Sequence, residues 1–273
     1  MILILSLALF NGPRYYFLMS KILATQVLIP DKSADPEDWI CELFSPPMKI
    51  GLVKKLKKIP EDLILENQKK MLRSMSPAAG YMAAVCNPIK PALDPFIKKN
   101  AFSVGIYCAL ENLSAYYEIA KVIANSPEEL WAELYIDHVP PKSPLKAGLG
   151  VAPATIGIFL GALGPTSTFY DQKFGILHAL DQAEHDLRNH RIQAALICTA
   201  HVLDDPLFTR KTIENLTDPS LVLKECGAAI LLAHDGKTTK WEVELPDPPS
   251  FEYGISSPLI AFLQQEEVKN GPT

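Results

Sequence analysis

The sequence predicts a layered α/β/α domain built on a mixed, mostly parallel sheet. Three observations carry this reading. Short, nearly continuous apolar runs lie at residues 101–109, 192–200 and 226–233; helical patterns separate them; and no internal repeat or domain linker interrupts the 273 residues. Apolar runs of this length suit strands buried on both faces, and their alternation with helices suits crossover connections. Composition agrees. Lys+Arg number 26 against 31 Asp+Glu, giving a net charge of −5, and 48% of residues are hydrophobic. A chain of this length buries a substantial core without disulfides. Net acidity, with no basic block longer than Lys54–Lys58 (KKLKK), argues against nucleic acid as a partner.

The first ten residues, MILILSLALF, are too short to span a bilayer and lack the basic start of a signal peptide. Met19 begins Met-Ser-Lys, so residues 1–18 are read as an upstream extension that adds little to the fold, and 19–273 as one domain. Lys21–Pro30 is rich in Ile, Leu and Val and suggests a first strand. Asp35-Pro36-Glu37-Asp38 has the acidic, proline-bearing start of a short helix, and Pro46–Lys58 reads as a basic loop. Helices are expected from about Pro60 and again from Ser76-Pro77. Residues 101–109 form a buried strand, and Leu110–Ala124 the helix after it. Ser126-Pro127-Glu128-Glu129 opens another helix with the pattern of a capping box. Lys146–Gly164, rich in Gly and Ala, is a helix packed close to backbone. Gly164-Pro165 breaks it before a short strand, Thr166–Tyr170. Phe174–His190 is amphipathic, with Ile176, Leu177, Leu180, Ala183 and Leu187 on one side. Ile192–Ala200 and Cys226–Ala233 are buried strands, and Trp241–Leu245 alternates as an edge strand.

Five cysteines, Cys41, Cys86, Cys108, Cys198 and Cys226, form an odd set without a CxxC pair. Buried, reduced thiols in a cytoplasmic protein are the expectation. No membrane partner is expected.

Three stretches together carry a family resemblance. Gly164-Pro165-Thr166-Ser167-Thr168-Phe169, followed by Gly175-Ile176-Leu177-His178-Ala179-Leu180, resembles the Gly-Pro strand, nucleophile elbow and helix of ketosynthases. Ile192–Ala200, after a helix ending Leu187-Arg188-Asn189-His190-Arg191, is similar to the family's next helix and strand. Glu225–Leu232 (ECGAAILL) resembles the strand that closes the first half of a ketosynthase. The likeness covers about residues 100–245 and implies a thiolase-like fold, with this chain truncated relative to full-length ketosynthases.

Departures from the pattern shape what the resemblance implies. Aligned without gaps from His178 back to Gly164, the nucleophilic cysteine position falls on Lys173, beside Gln172. A condensing enzyme holds its acyl chain there as a thioester; an amine would form a far more stable amide. The family also draws two histidines from its second half, and no histidine lies beyond His234. A ketosynthase-like chain without its cysteine resembles the chain-length factor of type II polyketide synthases, in the short form of aryl polyene and anthraquinone pathways. The implied role is that of a pseudoenzyme. It forms a heterodimer with a catalytic ketosynthase, is served by an acyl carrier protein, shapes the polyketide channel and needs no cofactor. Thr166, Ser167, Thr168, Phe169 and Tyr170 are the implied dimer strand. Asn112, Ala115 and Ile119 share one helix face at i, i+3 and i+7, and with Phe159 and Phe169 they are expected to limit product length. A half-length chain is also expected to leave one sheet face uncovered for its partner.

Other readings stay open. The chain is alternatively an active thiolase-fold acyltransferase or decarboxylase using a relocated residue such as Cys198, paired with His201. His178, Asp181 and His185 share a helix face and have metal-ligand residue types, but no fourth ligand is placed. Lys49–Lys58, with Lys69, Lys70 and Arg73, offers either a carrier-protein docking patch or a solvated surface.

Overall fold

The computed structural model describes residues 14–43, 46–56, 58–64, 69–72, 75–111, 117–138, 150–171, 174–203, 221–234, 239–244 and 252–269. Its first strand, β1 (Arg14–Met19), lies within the stretch read as an extension and pairs antiparallel with Thr239–Glu244. β2 (Lys21–Leu28) follows as predicted. The helix expected at Asp35–Asp38 is instead β3 (Glu37–Cys41), and the expected loop at Pro46–Lys58 contains β4 (Met48–Lys54). In β3, Trp39 and Cys41 are buried while Glu37, Asp38 and Ile40 are exposed, so a period of two outweighs the acidic, proline-led helix start.

A turn of 3₁₀ helix at Glu61–Leu63 and α1 (Lys69–Leu72) occupy the region after Pro60. α2 (Pro77–Cys86) starts where expected: the Ser76 hydroxyl accepts the Ala79 N–H at 3.2 Å, and Pro77 occupies the first turn. α3 (Lys90–Lys99) carries Pro91 near its start and Pro95 inside, and buries only Leu93. Every residue of β5 (Val104–Leu110) is buried. α4 (Tyr117–Ala124) and α5 (Trp131–His138) come next. No capping box forms between them: the Ser126 hydroxyl donates back to the Val122 carbonyl at 2.7 Å. Then follow α6 (Val151–Leu160), β6 (Thr166–Phe169), α7 (Gly175–Arg188), β7 (Ala194–His201), β8 (Val222–Lys224), β9 (Cys226–Ala233), β10 (Thr239–Glu244) and α8 (Ser257–Lys269).

The central sheet runs in the order β2-β9-β7-β5-β6. β5 is parallel to β6 and β7, while β9 is antiparallel to both β2 and β7. Parallel and antiparallel pairings are therefore balanced, where a mostly parallel sheet was expected. A wholly apolar strand such as β9 carries no mark of its direction. Side chains alternate across the sheet. Ile106, Cys108 and Leu110 join the core under α2 and α6, whereas Tyr107 and Ala109 join the core under α7 and α8. Both faces are thus covered by helices, which corrects the expectation of a bare face. The described sheet ends on β2, beside β9, and on β6, beside β5. β3, β4 and β8 form a separate small sheet.

Candidate functional site

β5, β6 and β7 run parallel, so their carboxyl ends meet at one edge of the sheet, the edge at which α/β folds gather their chemistry. The register sets Ala109 opposite Phe169, and Leu110 opposite Ala200. The Gly-Pro motif has a steric reason at the other end of β6. A Cβ on Gly164 would stand 2.2 Å from the Val104 carbonyl oxygen, so only glycine lets the strand enter beside β5. After β6, the Asp171 carboxylate accepts the Phe174 N–H at 2.7 Å at the start of α7. Gln172 and Lys173, which stand between them, lie outside the described residues, as do Asn112 and Ala115.

The remaining expected residues are spread over the fold. Thr166 is exposed, and Ser167, Thr168, Phe169 and Tyr170 are half-buried at the sheet's end. Phe169 packs toward the α7 side and stacks on the His178 ring, with centroids 6.4 Å apart. Phe159 is buried on the α6 side of the sheet, and Ile119 is buried on α4. The sheet therefore stands between Phe159 and Phe169. The Tyr170 hydroxyl is buried without a partner among the described residues, and burial pushes its pKa up to about 12.

Cys198 and His201 do not form a pair. Cys198 belongs to the core under α2, its sulfur 3.4 Å from that of Cys108, while His201 projects from the other face. All five cysteines are buried and unbridged. The Cys198 hydrogen bond and burial raise the Cys86 thiol, burial raises Cys108, and the bonds from these two neighbours hold the Cys198 thiol below theirs. Cys198 is packed in an apolar core and its sulfur faces only the neighbouring thiols, surroundings in which a cysteine is inert.

The structure brings together a pair that sequence reading missed. Glu111 directly follows β5 and His201 ends β7. His201 Nδ1 lies 2.7 Å from Glu111 Oε2, and the two side chains are 2% and 3% exposed. Glu111 Oε1 accepts the Ile255 N–H. His201 Nε2 is buried without a partner among the described residues. Ninety residues separate the two in sequence, and no motif marks either; only strand register joins them.

Other motifs are structural. The Glu225 carboxylate accepts the N–H groups of Leu56 (2.8 Å) and Leu203 (3.1 Å) and the Tyr81 hydroxyl (2.9 Å), tying three segments to the start of β9. His185 hydrogen-bonds Asn189, and among the described residues no cluster of three metal-ligating side chains forms. Much of the basic stretch is engaged internally: Lys49 pairs with Asp38 at 2.5 Å, Lys58 pairs with Glu61, and Lys55 lies over the Trp39 ring. Among the described residues no helix is long and apolar enough to cross a membrane.

No family model and no curated protein matches the sequence. Solved structures do match the fold. One is a ketosynthase (ApeO) in complex with its chain length factor (ApeC) from Xenorhabdus doucetiae, at a TM-score of 0.56 and 11% identity, covering 82% of this chain and 58% of that one. Another is AntDE:AntF, a type II polyketide synthase acyl-carrier protein in complex with its ketosynthase bound to the hexaketide. Its TM-score is also 0.56 and its identity 11%, covering 82% of this chain and 64% of that one. The fold is thiolase-like, that of ketosynthase structures, and the chain spans about three-fifths of the length of these two matches.

Proposed function

We propose that this chain is a non-catalytic chain-length factor that pairs with a catalytic ketosynthase in the cytoplasm and shapes the channel for a poly-β-keto chain delivered by an acyl carrier protein. One observation carries the reading: aligned without gaps from His178 back to Gly164, Lys173 falls at the position that the resemblance to ketosynthases gives to the acyl-holding cysteine. A lysine ammonium is a strongly hydrated cation, and an acyl group moved onto its amine would not leave in a turnover cycle. The terminal position of β6 supports a partner at that edge, since an open strand edge is a liability that pairing removes. The solved complexes that share the fold contain a ketosynthase with its chain length factor or its carrier protein.

The test is co-expression with a full-length ketosynthase encoded beside it. Co-purification at equal stoichiometry is expected, with polyketide formed only by the pair. Intact-mass measurement after incubation with acyl thioesters should find acyl groups on the partner and none on this chain. A stable acyl adduct here, or condensation by this chain unaccompanied, would replace the reading with an active acyltransferase.

A further inference from the structure

The Glu111–His201 pair is built like the orienting half of a catalytic triad, with its outer nitrogen unclaimed. Glu111 Oε1 accepts the Ile255 N–H, and Oε2 lies 2.7 Å from His201 Nδ1, the arrangement of an Nδ1–H donated to a carboxylate. In a neutral ring so oriented Nε2 is the lone-pair nitrogen, and it is buried without a partner among the described residues. A buried polar group left one hydrogen bond short is costly, and such groups mark strain, a ligand or a reaction. The Gly254 backbone is pressed onto the pair, and Ser256 beside it bonds Thr199 at 2.9 Å. Because the His201 side chain is 2% exposed, a ligand reaches Nε2 only when the chain around it shifts.

We propose that Glu111 and His201 form a proton-accepting site for a β-keto acyl thioester, an activity of this chain beyond shaping a channel; the choice of substrate class rests on the polyketide reading above. The methylene between the two carbonyls loses a proton: the C–H bond breaks, its electron pair moves into the enolate, and the proton bonds to Nε2. The imidazolium so formed is paired with the Glu111 carboxylate. Return of a proton from Nε2 to carbon restores the thioester, so the cycle consumes nothing. In D₂O the returning atom is deuterium.

The experiment follows loss of the methylene proton signal of acetoacetyl-N-acetylcysteamine in D₂O by ¹H NMR. It uses this chain alone and in complex with a ketosynthase whose nucleophilic cysteine is replaced by alanine. Exchange above the buffer rate is expected, slowed about 100-fold in His201→Asn and also slowed in Glu111→Gln. ¹⁵N-histidine spectra of the unaltered protein should show Nε2 as a lone-pair nitrogen, and this reading decides the matter if His201→Asn does not fold. Exchange at the buffer rate, an unchanged rate in His201→Asn, or a neutral histidine with its proton on Nε2 would each overturn the proposal. Co-purification without exchange removes the dyad and leaves the chain-length factor standing. Exchange without co-purification does the reverse.

Discussion

Gly254 shows how a single residue can be dictated by its neighbours. Its φ is +51°, and a Cβ there would lie 2.4 Å from His201 Nδ1 and 2.5 and 2.6 Å from the Glu111 oxygens. Left-handed backbone costs a non-glycine residue about 1–2 kcal/mol before any clash is counted. Gly254→Ala is therefore expected to lower the urea midpoint by at least that equivalent, with the m-value unchanged. Glu184 makes a different prediction. Burial raises its pKa, although the Ser20 N–H at 2.6 Å and Arg188 pull the other way. A carboxyl whose folded pKa lies above its unfolded value holds its proton more tightly in the native state. Its contribution to stability therefore falls as pH rises from the ordinary glutamate range through the raised one. Glu184→Gln should flatten that decline, gaining on the parent chain from pH 4 to pH 8 in urea melts. A parallel pair of curves would show that desolvation of Glu184 is not the controlling factor.

At the scale of elements, what was legible depended on how local the signal was. α2 could be read from Ser76-Pro77 because its cap and first turn are consecutive in sequence, and β5, β7 and β9 because each is an apolar run bounded by polar residues. β3 was misread because Asp35–Asp38 carries helix-start chemistry while the deciding fact, burial of Trp39, depends on pairing with β4 and packing against Leu203 and Leu223. α3 holds Pro91 and Pro95 within ten residues, a composition that gives no local helix signal. The candidate site is less legible: the Gly-Pro strand is visible as a pattern, but Glu111 and His201 meet only through the register of β5 and β7. β6 gives the element-scale prediction. The Ile106 N–H bonds the Pro165 carbonyl, and the pairing of Ile106 with Thr166 turns the Thr166 backbone N–H away from β5. Thr166→Pro removes that donor and leaves the β5 ladder intact, as proline is tolerated on an outward-facing edge. Loss of the bond and the bulk of the ring together should weaken the ketosynthase complex about tenfold or more, with 1.4 kcal/mol per decade, while the melting temperature of the chain alone hardly moves. Unaltered affinity would take the interface away from this edge.

For the whole molecule, the two cores separate residues able to influence a bound chain from residues that only support the sheet. The α2–α6 side holds Cys86, Cys108, Cys198 and Phe159 in a closed core, whereas Phe169 is half-buried where β6 ends, beside the exposed ring of His178. If the chain sets product length at the β6 edge, bulk at Phe169 should matter and sulfur at Cys198 should not. In the reconstituted complex, Phe169→Ala should shift the polyketide mass distribution to longer chains by opening space at the strand end, and Phe169→Trp to shorter ones. Cys198→Ala, which removes one buried sulfur from a tightly packed wall, should lower stability by about 1 kcal/mol and leave the distribution where it was. Asn112→Trp and Ala115→Trp extend the series to the other residues expected to limit length and should shorten the product as well. The reverse pattern, with length following Cys198 and indifferent to Phe169, would move the channel to the α2–α6 side and reopen a chemical role for the buried thiols.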